Sequence, residues 1–229
     1  EKAVDWSGPD PRKKLAKPPT MTTGYDVTAQ GVRNQMLDSG IAQGMEGDIN
    51  ENINYIRDVA MDSVESVVEK PVAIKTWLKD CATIARSHKQ PVRFTSPAGM
   101  TVDQEYLKKK YRTLLTVLQK YRYWVYEKGR RLLPRKQIQG IAPNFVHSID
   151  AAHLTKIVLA LKEEGIRDCL MIHDSFGVHA CHAGRLSEIA RETFVEVHSE
   201  DLLGNFKKDL ETYLDVELPD PPPRGDMDI

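Results

Sequence analysis

Residues 171–180 read MIHDSFGVHA: two apolar residues, a His-Asp pair, a small residue, an aromatic and a glycine. Burying a carboxylate at the end of an apolar run is costly unless it meets a cation or a donor. Asp174 is therefore either a polar turn residue or a metal ligand. Working outward, CLMI (169–172) and GVHA (177–180) have the length of two short apolar strands around a turn at 173–177. The segment is predicted to be a β-hairpin with the carboxylate at its turn.

Helical patterns flank this hairpin. NFVHSIDAAHLTKIVLALKEEG (144–165) is amphipathic and ends at a glycine, and helices are predicted over about 183–197 and 202–213. Upstream, apolar residues recur at three- and four-residue spacing over about 27–37, 51–68 and 71–86, with Pro71 placed to begin the last of these. PVRFTSPAGMTVDQEY (91–106) is short, alternating and rich in turn residues, which suits a hairpin centred on Pro97-Ala98-Gly99. The opening is broken by Pro9, Pro11, Pro18 and Pro19, the tail ELPDPPPRGDMDI is predicted to be extended, and no internal repeat is present. The pattern predicts an α+β, predominantly helical fold.

Bulk properties exclude more than they assign. The 229 residues are 41% hydrophobic, enough for a real core in one or two domains. Lys plus Arg number 32 against 33 for Asp plus Glu, so any signal for nucleic acid must come from local clustering. Three cysteines, Cys81, Cys169 and Cys181, lack the number for a disulfide framework and the spacing for zinc. No apolar run has the length of a membrane span, and the expectation is a soluble, intracellular protein.

The clustering lies at 108–136, where eleven cations fall within 29 residues, with Tyr111, Tyr121, Tyr123, Trp124 and Tyr126 interleaved. RYWVY (122–126) has strong β character, so two strands are predicted, at about 112–118 and 121–127, with a helix over the first as the alternative. Such a segment is either a solvated hairpin or a field that attracts phosphate backbones. Lys109, Lys110, Arg112, Lys120, Arg122, Lys128, Arg130 and Arg131 are its candidate nucleic-acid contacts. Lys13, Lys17, Met21 and Tyr25 are spaced four apart, which would align them along one side of a helix and suit a triphosphate at a helix start, a solvated basic face being the plainer reading. His147 and His153 are either half-buried core histidines or site residues.

Together these blocks carry a resemblance. APNFVHSIDAAHL (142–154) followed by IHDSFG (172–177) resembles the C-terminal catalytic core of the single-subunit DNA-directed RNA polymerases of bacteriophages and mitochondria. Lys17 with Tyr25 eight positions later, then GVRNQML (31–37), resembles the fingers motif of that family, and TWLKDCATIA (76–85) and TSPAGMTVDQEY (95–106) resemble the segments that follow it.

The resemblance implies a right-hand polymerase fold with fingers over 1–140, including a promoter-reading hairpin at about 108–136 that enters the major groove. It implies a C-terminal palm over 141–229, with a metal-site hairpin at about 169–180 and an extension from about 200. Asp174 matches the palm carboxylate that, with a partner Asp, holds two Mg2+ ions for nucleotidyl transfer. Lys17 matches a phosphate contact, the position four residues earlier is an arginine in the family and Lys13 here, which keeps the charge without the bidentate geometry, and Tyr25 matches the residue at the base and sugar of the incoming ribonucleotide. His147 matches the contact to the growing duplex, and His173 belongs to the substrate side and supports the hairpin.

The expected partners are template and promoter DNA, nascent RNA and ribonucleoside triphosphates. This chain reads Gly24-Tyr25-Asp26 where the family has glycine after the tyrosine. Only 16 residues precede Lys17, and none resembles the segment with the partner Asp. The expectation is thus a fragment that cannot polymerise alone, its missing N-terminal part lying on the same or another chain. A phage or prophage source, in the cytoplasm of a bacterial host, is expected over a mitochondrion. Two rivals remain: a DNA polymerase of the related hand-shaped class, disfavoured because Ser175 rather than an acidic residue follows Asp174, and a non-catalytic nucleic-acid-binding remnant.

Overall fold

The computed structural model describes residues 17–23, 28–41, 47–126, 131–223 and 225. Two compact units divide the chain, one comprising residues up to Trp77 together with those from Pro222, the other Leu78–Pro221.

In the first unit, α1 (Lys17–Thr23), α2 (Ala29–Asp38) and α3 (Ile49–Val67) lead into α4 (Glu69–Ser87), within which the boundary between the units falls. Thr28 caps α2 by accepting from Gly31 N, and Asp48 caps α3 by accepting from Asn50 N and Glu51 N. Val32 and Met36, one turn apart on α2, bury against Ile53 and Ile56 of α3, with Ile41, Ala60 and Met61 around them.

In the second unit, β1 (Val92–Thr95) pairs antiparallel with β2 (Thr101–Gln104). Gly99 at φ 77° closes the turn, its N–H donating to Ser96 O at 2.8 Å, as the Pro97-Ala98-Gly99 reading expects. Then come β3 (Lys109–Leu115) and β4 (Lys120–Tyr126), α5 (Pro134–Glu163), β5 (Cys169–Ile172), β6 (Ser175–Val178), a 3-10 turn at Ala180–His182, α6 (Ala183–Ser199) and α7 (Leu202–Leu214). The three hairpins are separate two-stranded sheets among the described residues.

Phe94, Phe145 and Phe206 pack ring to ring, with centroids 5.1–5.7 Å apart, and join β1, α5 and α7. Asp209 of α7 accepts from Thr95 N at 2.7 Å, fixing that helix to the first hairpin.

The helix expected from residue 144 begins ten residues earlier. Pro134 stands in its first turn, where a missing N–H costs nothing, and the helix runs on through Pro143. Gly140 and Pro143 break the pattern that a sequence reading follows, whereas buried Gln137 and Ile141 keep the first turns on the core. At the other end Gly165 takes φ 78°, with Gly165 N donating to Lys162 O and Ile166 N to Leu161 O. That pair of bonds is the Schellman arrangement, and Ile166 packs beside Leu161 as the motif requires.

The basic stretch forms two strands rather than a helix followed by a strand. The first arm starts three residues before the expected 112, because pairing runs in register from Lys109 with Tyr126 to Leu115 with Lys120.

Candidate nucleic-acid and catalytic site

Asp174 lies in the two-residue turn between β5 and β6, where Ile172 pairs with Ser175. The expected turn over 173–177 is shorter, because Ser175–Val178 is already strand. His173 takes the left-handed conformation at φ 54°, which lets the chain reverse within two residues.

The pairing puts Met171, Phe176 and Val178 on one face of the hairpin, packed on Ile157 and Leu161 of α5 and Leu186 and Ile189 of α6. Leu170 and Ile172 point the other way and are exposed. The apolar run thus seats the hairpin on two helices, while His173 and Asp174 stay exposed at its tip. A carboxylate placed there is exposed and open to a ligand, and the burial penalty raised by its sequence context does not arise.

The two α5 histidines separate. His147 is exposed, with Nδ1 3.8 Å from an Asp150 carboxylate oxygen. His153 is half-buried, its Nε2 2.9 Å from Ala190 O and its ring edge-on to Phe176 and Phe194, which makes it a core histidine linking α5, α6 and the hairpin. Among the described residues no group of three His, Cys, Asp or Glu side chains could hold a metal ion. Magnesium uses one or two carboxylates plus phosphate oxygens, so Asp174 is at most one ligand and does not complete a two-ion site.

Lys17 is exposed at the first residue of α1. Over the seven residues of that helix Lys17 and Met21 stand one turn apart. Lys13, Gly24-Tyr25-Asp26, Lys128 and Arg130 lie outside the described residues.

The β3–β4 hairpin displays nearly everything it carries. Every residue of β3 and all of β4 but Val125 are exposed. One face holds Lys109, Tyr111, Lys120, Arg122, Trp124 and Tyr126, and the other Lys110, Arg112, Tyr121 and Tyr123, as the register requires. Tyr111 stacks on Trp124, and the Lys109 ammonium sits over the Tyr126 ring at 5.2 Å. Neither strand contains an acidic residue. Lys108 N donates to Arg131 O and Leu133 N to Tyr106 O, both at 2.7 Å, so the base of the hairpin is tied directly to the start of α5. Arg131 is exposed at that base.

A polar network that sequence reasoning missed steadies α5. Gln104 Nε2 donates to Gln137 O at 2.5 Å, and Asn144 Nδ2 donates to Gln104 Oε1 at 2.9 Å and to Tyr106 Oη at 3.1 Å. Gln104 shares the inward face of β2 with Val102, but only the packing of that strand against α5 shows which helix groups meet its amide.

With that geometry in hand, residues 9–229 match the family of DNA-dependent RNA polymerases, and the chain belongs to it. It is 34% identical over 224 residues to the chloroplastic DNA-directed RNA polymerase 3 of Nicotiana sylvestris and 32% identical over 221 residues to the mitochondrial DNA-directed RNA polymerase 1 of Arabidopsis thaliana. In both cases 95% of this chain aligns, and it spans 22% of the relative's length. It spans 66% of a shorter relative, DNA-directed RNA polymerase 2A of Nicotiana tabacum, at 32% identity. These relatives correct the expected location: polymerases named chloroplastic or mitochondrial overturn a bacterial host's cytoplasm. Among the described residues no helix is long and apolar enough to cross a membrane.

Proposed function

We propose that these residues are the fingers and C-terminal palm of an organellar RNA polymerase that extends RNA on a DNA template from ribonucleoside triphosphates. The supporting observation is the family match over residues 9–229, coinciding with a carboxylate held at the exposed tip of a hairpin seated on α5 and α6. In this reading the fingers cover 1–140 and the palm 141–229 of a right-hand fold, a functional division distinct from the compact units that part within α4.

Asp174 is one carboxylate ligand for Mg2+, and the remaining ligands come from outside the described residues. When bound, the metal would lower the pKa of the attacking 3′ hydroxyl and neutralise phosphate charge. The chain's own residues bind and orient. Lys17 and Lys13 take nucleotide phosphates, Tyr25 takes base and sugar, and His173 braces the turn. His147, exposed on α5, lies along the growing duplex. The β3–β4 hairpin reads promoter DNA, its cations on phosphates and its side chains toward base edges in the major groove.

The test is incorporation of labelled ribonucleotides on a DNA template by the polymerase that contains these residues, beside its Asp174→Asn variant. Loss of synthesis with unchanged template binding is the expected result. Full activity in the variant would sink the assignment. The 229 residues alone are expected not to polymerise, and metal-dependent incorporation by them would overturn that expectation.

A further inference from the structure

His153 stands on α5 against the hairpin that carries Asp174. Its Nε2 lies 2.9 Å from Ala190 O, and because a carbonyl only accepts, that nitrogen carries the hydrogen and donates. A single bond to α6 thus fixes where the half-buried ring sits and how it is turned. Phe176 of β6 meets this ring with centroids 6.0 Å apart and planes at 86°, and Phe194 of α6 meets it at 5.6 Å and 77°. Phe176 pairs with Met171 in the ladder, and Asp174 lies two residues before it. At the rise of a strand that is about 7 Å of chain, so a shift at Phe176 reaches the carboxylate almost undiminished.

We propose that His153 is a positioning residue: it sets the height and angle of the β5–β6 hairpin and, through Phe176, holds Asp174 where a Mg2+ ligand must stand. The rest of the seat is aliphatic. Met171 and Val178 pack with Ile157, Leu161, Leu186 and Ile189, and such burial stabilises without direction, so it keeps the hairpin down without fixing it in one place. The imidazole supplies the direction, being rooted in one helix, bonded to another and edge-on to the ring next to the turn. Precision matters at this tip, because Mg2+ demands near-ideal octahedral geometry and a functional group has to be held to within about 0.5 Å. The role rests on the reading of Asp174 as a metal ligand and adds to it the group that aims the carboxylate.

The experiment uses the polymerase that contains these residues. It compares His153→Phe, which keeps a ring but cannot donate to Ala190 O, with Phe176→Leu on the hairpin side and Phe194→Leu on the α6 side. RNA synthesis is measured against Mg2+ and ribonucleotide concentration, and amide exchange over residues 169–178 is followed by mass spectrometry without metal. His153→Phe and Phe176→Leu are expected to raise the half-saturating Mg2+ concentration about tenfold, the order seen when a ligand loses its outer support. Both should also lower kcat with the ribonucleotide KM unchanged and speed exchange in the hairpin. Phe194→Leu should keep the parent's Mg2+ dependence, since the bond to Ala190 O still holds the imidazole. A merely structural histidine gives another pattern, in which the melting temperature falls while the Mg2+ dependence stays that of the parent, and that result overturns the positioning role. Equal Mg2+ shifts in all three variants overturn it too. Should His153→Phe fail to fold, the contrast between Phe176→Leu and Phe194→Leu decides. Asp174→Asn separates the two levels: if it is inactive while His153→Phe and Phe176→Leu keep the parent's Mg2+ dependence, positioning alone fails, whereas full synthesis by Asp174→Asn removes the metal reading as well.

Discussion

Tyr111 stacks on Trp124 across the β3–β4 register, ring centroids 3.5 Å apart and planes inclined by 27°. Both rings are exposed on a hairpin with no core beneath it, so each serves as the other's packing partner and both remain open to a third ring. A base stacked on such a platform is worth about 1–3 kcal/mol. Trp124→Ala is expected to weaken single-strand or duplex binding by roughly tenfold or more on that scale. Anisotropy titration checks it; affinity unchanged within error would show that the platform serves only the hairpin.

Arg112 and Arg122 stand on opposite faces of the same hairpin. If each neutralises a phosphate, Arg112→Ala and Arg122→Ala should each lower the slope of log K against log salt by about one, and the double variant by about two. A slope that falls for one arginine alone would restrict DNA to a single face.

Asp174 is exposed and makes no hydrogen bond or ion pair among the described residues, so Asp174→Asn should leave the unfolding free energy within about the half kcal/mol typical of surface substitutions. Paired with lost RNA synthesis, that result separates a ligand from a structural residue. A large drop in melting temperature would instead mean that the carboxylate holds the turn.

Gly140 lies against the ring of Tyr106, so that an added Cβ would sit 2.7 Å from Cε2. The ring cannot swing away cheaply, because its hydroxyl accepts from Asn144 and its backbone carbonyl holds Leu133 N. Gly140→Ala is expected to destabilise by about 1–3 kcal/mol through overpacking. In a Tyr106→Ala background Gly140→Ala should instead stabilise by about 1 kcal/mol, the ordinary helix preference for alanine. Denaturant midpoints for the cycle decide it, and additive effects would show that the two residues do not compete for the same space.

Residue spacing made the helices and hairpins legible because their periodicity survives in the chain: Val32 and Met36 on α2, or the alternation of Val92 and Phe94 in β1, announce the faces they bury. It failed at the start of α5, where Gly140 and Pro143 read as breakers, although one packs on a ring and the other is absorbed within a 30-residue helix. Asp174 was legible as a hairpin carboxylate because strand, turn and strand are local. Its relation to Lys17 was not, since nothing in a spacing of 157 residues encodes distance in space. Location was misread because the residues that build this fold answer to packing and catalysis, and the same motifs serve phage and organelle alike.

Cys81 is fully buried in α4, and burial, then the neighbouring Asp80 charge, push its thiol up from 9.0 to about 12. Cys169 and Cys181 are exposed. Only the thiolate alkylates, so at pH 8 the native chain should take two adducts, with the third appearing only after denaturation; intact mass reads the count. The sign of the linked stability follows from the direction of the shift. The folded state favours the neutral thiol, so this contribution is whole below the ordinary value of 9.0 and is lost as pH rises toward about 12. Cys81→Ala removes that loss along with some packing, and its unfolding free energy should fall less steeply than that of the parent between pH 9 and about 12. Rapid modification of all three thiols in the native chain would mean that α4 opens locally at Cys81, and an equal alkaline slope in the variant and the parent would show that burial does not shift this thiol.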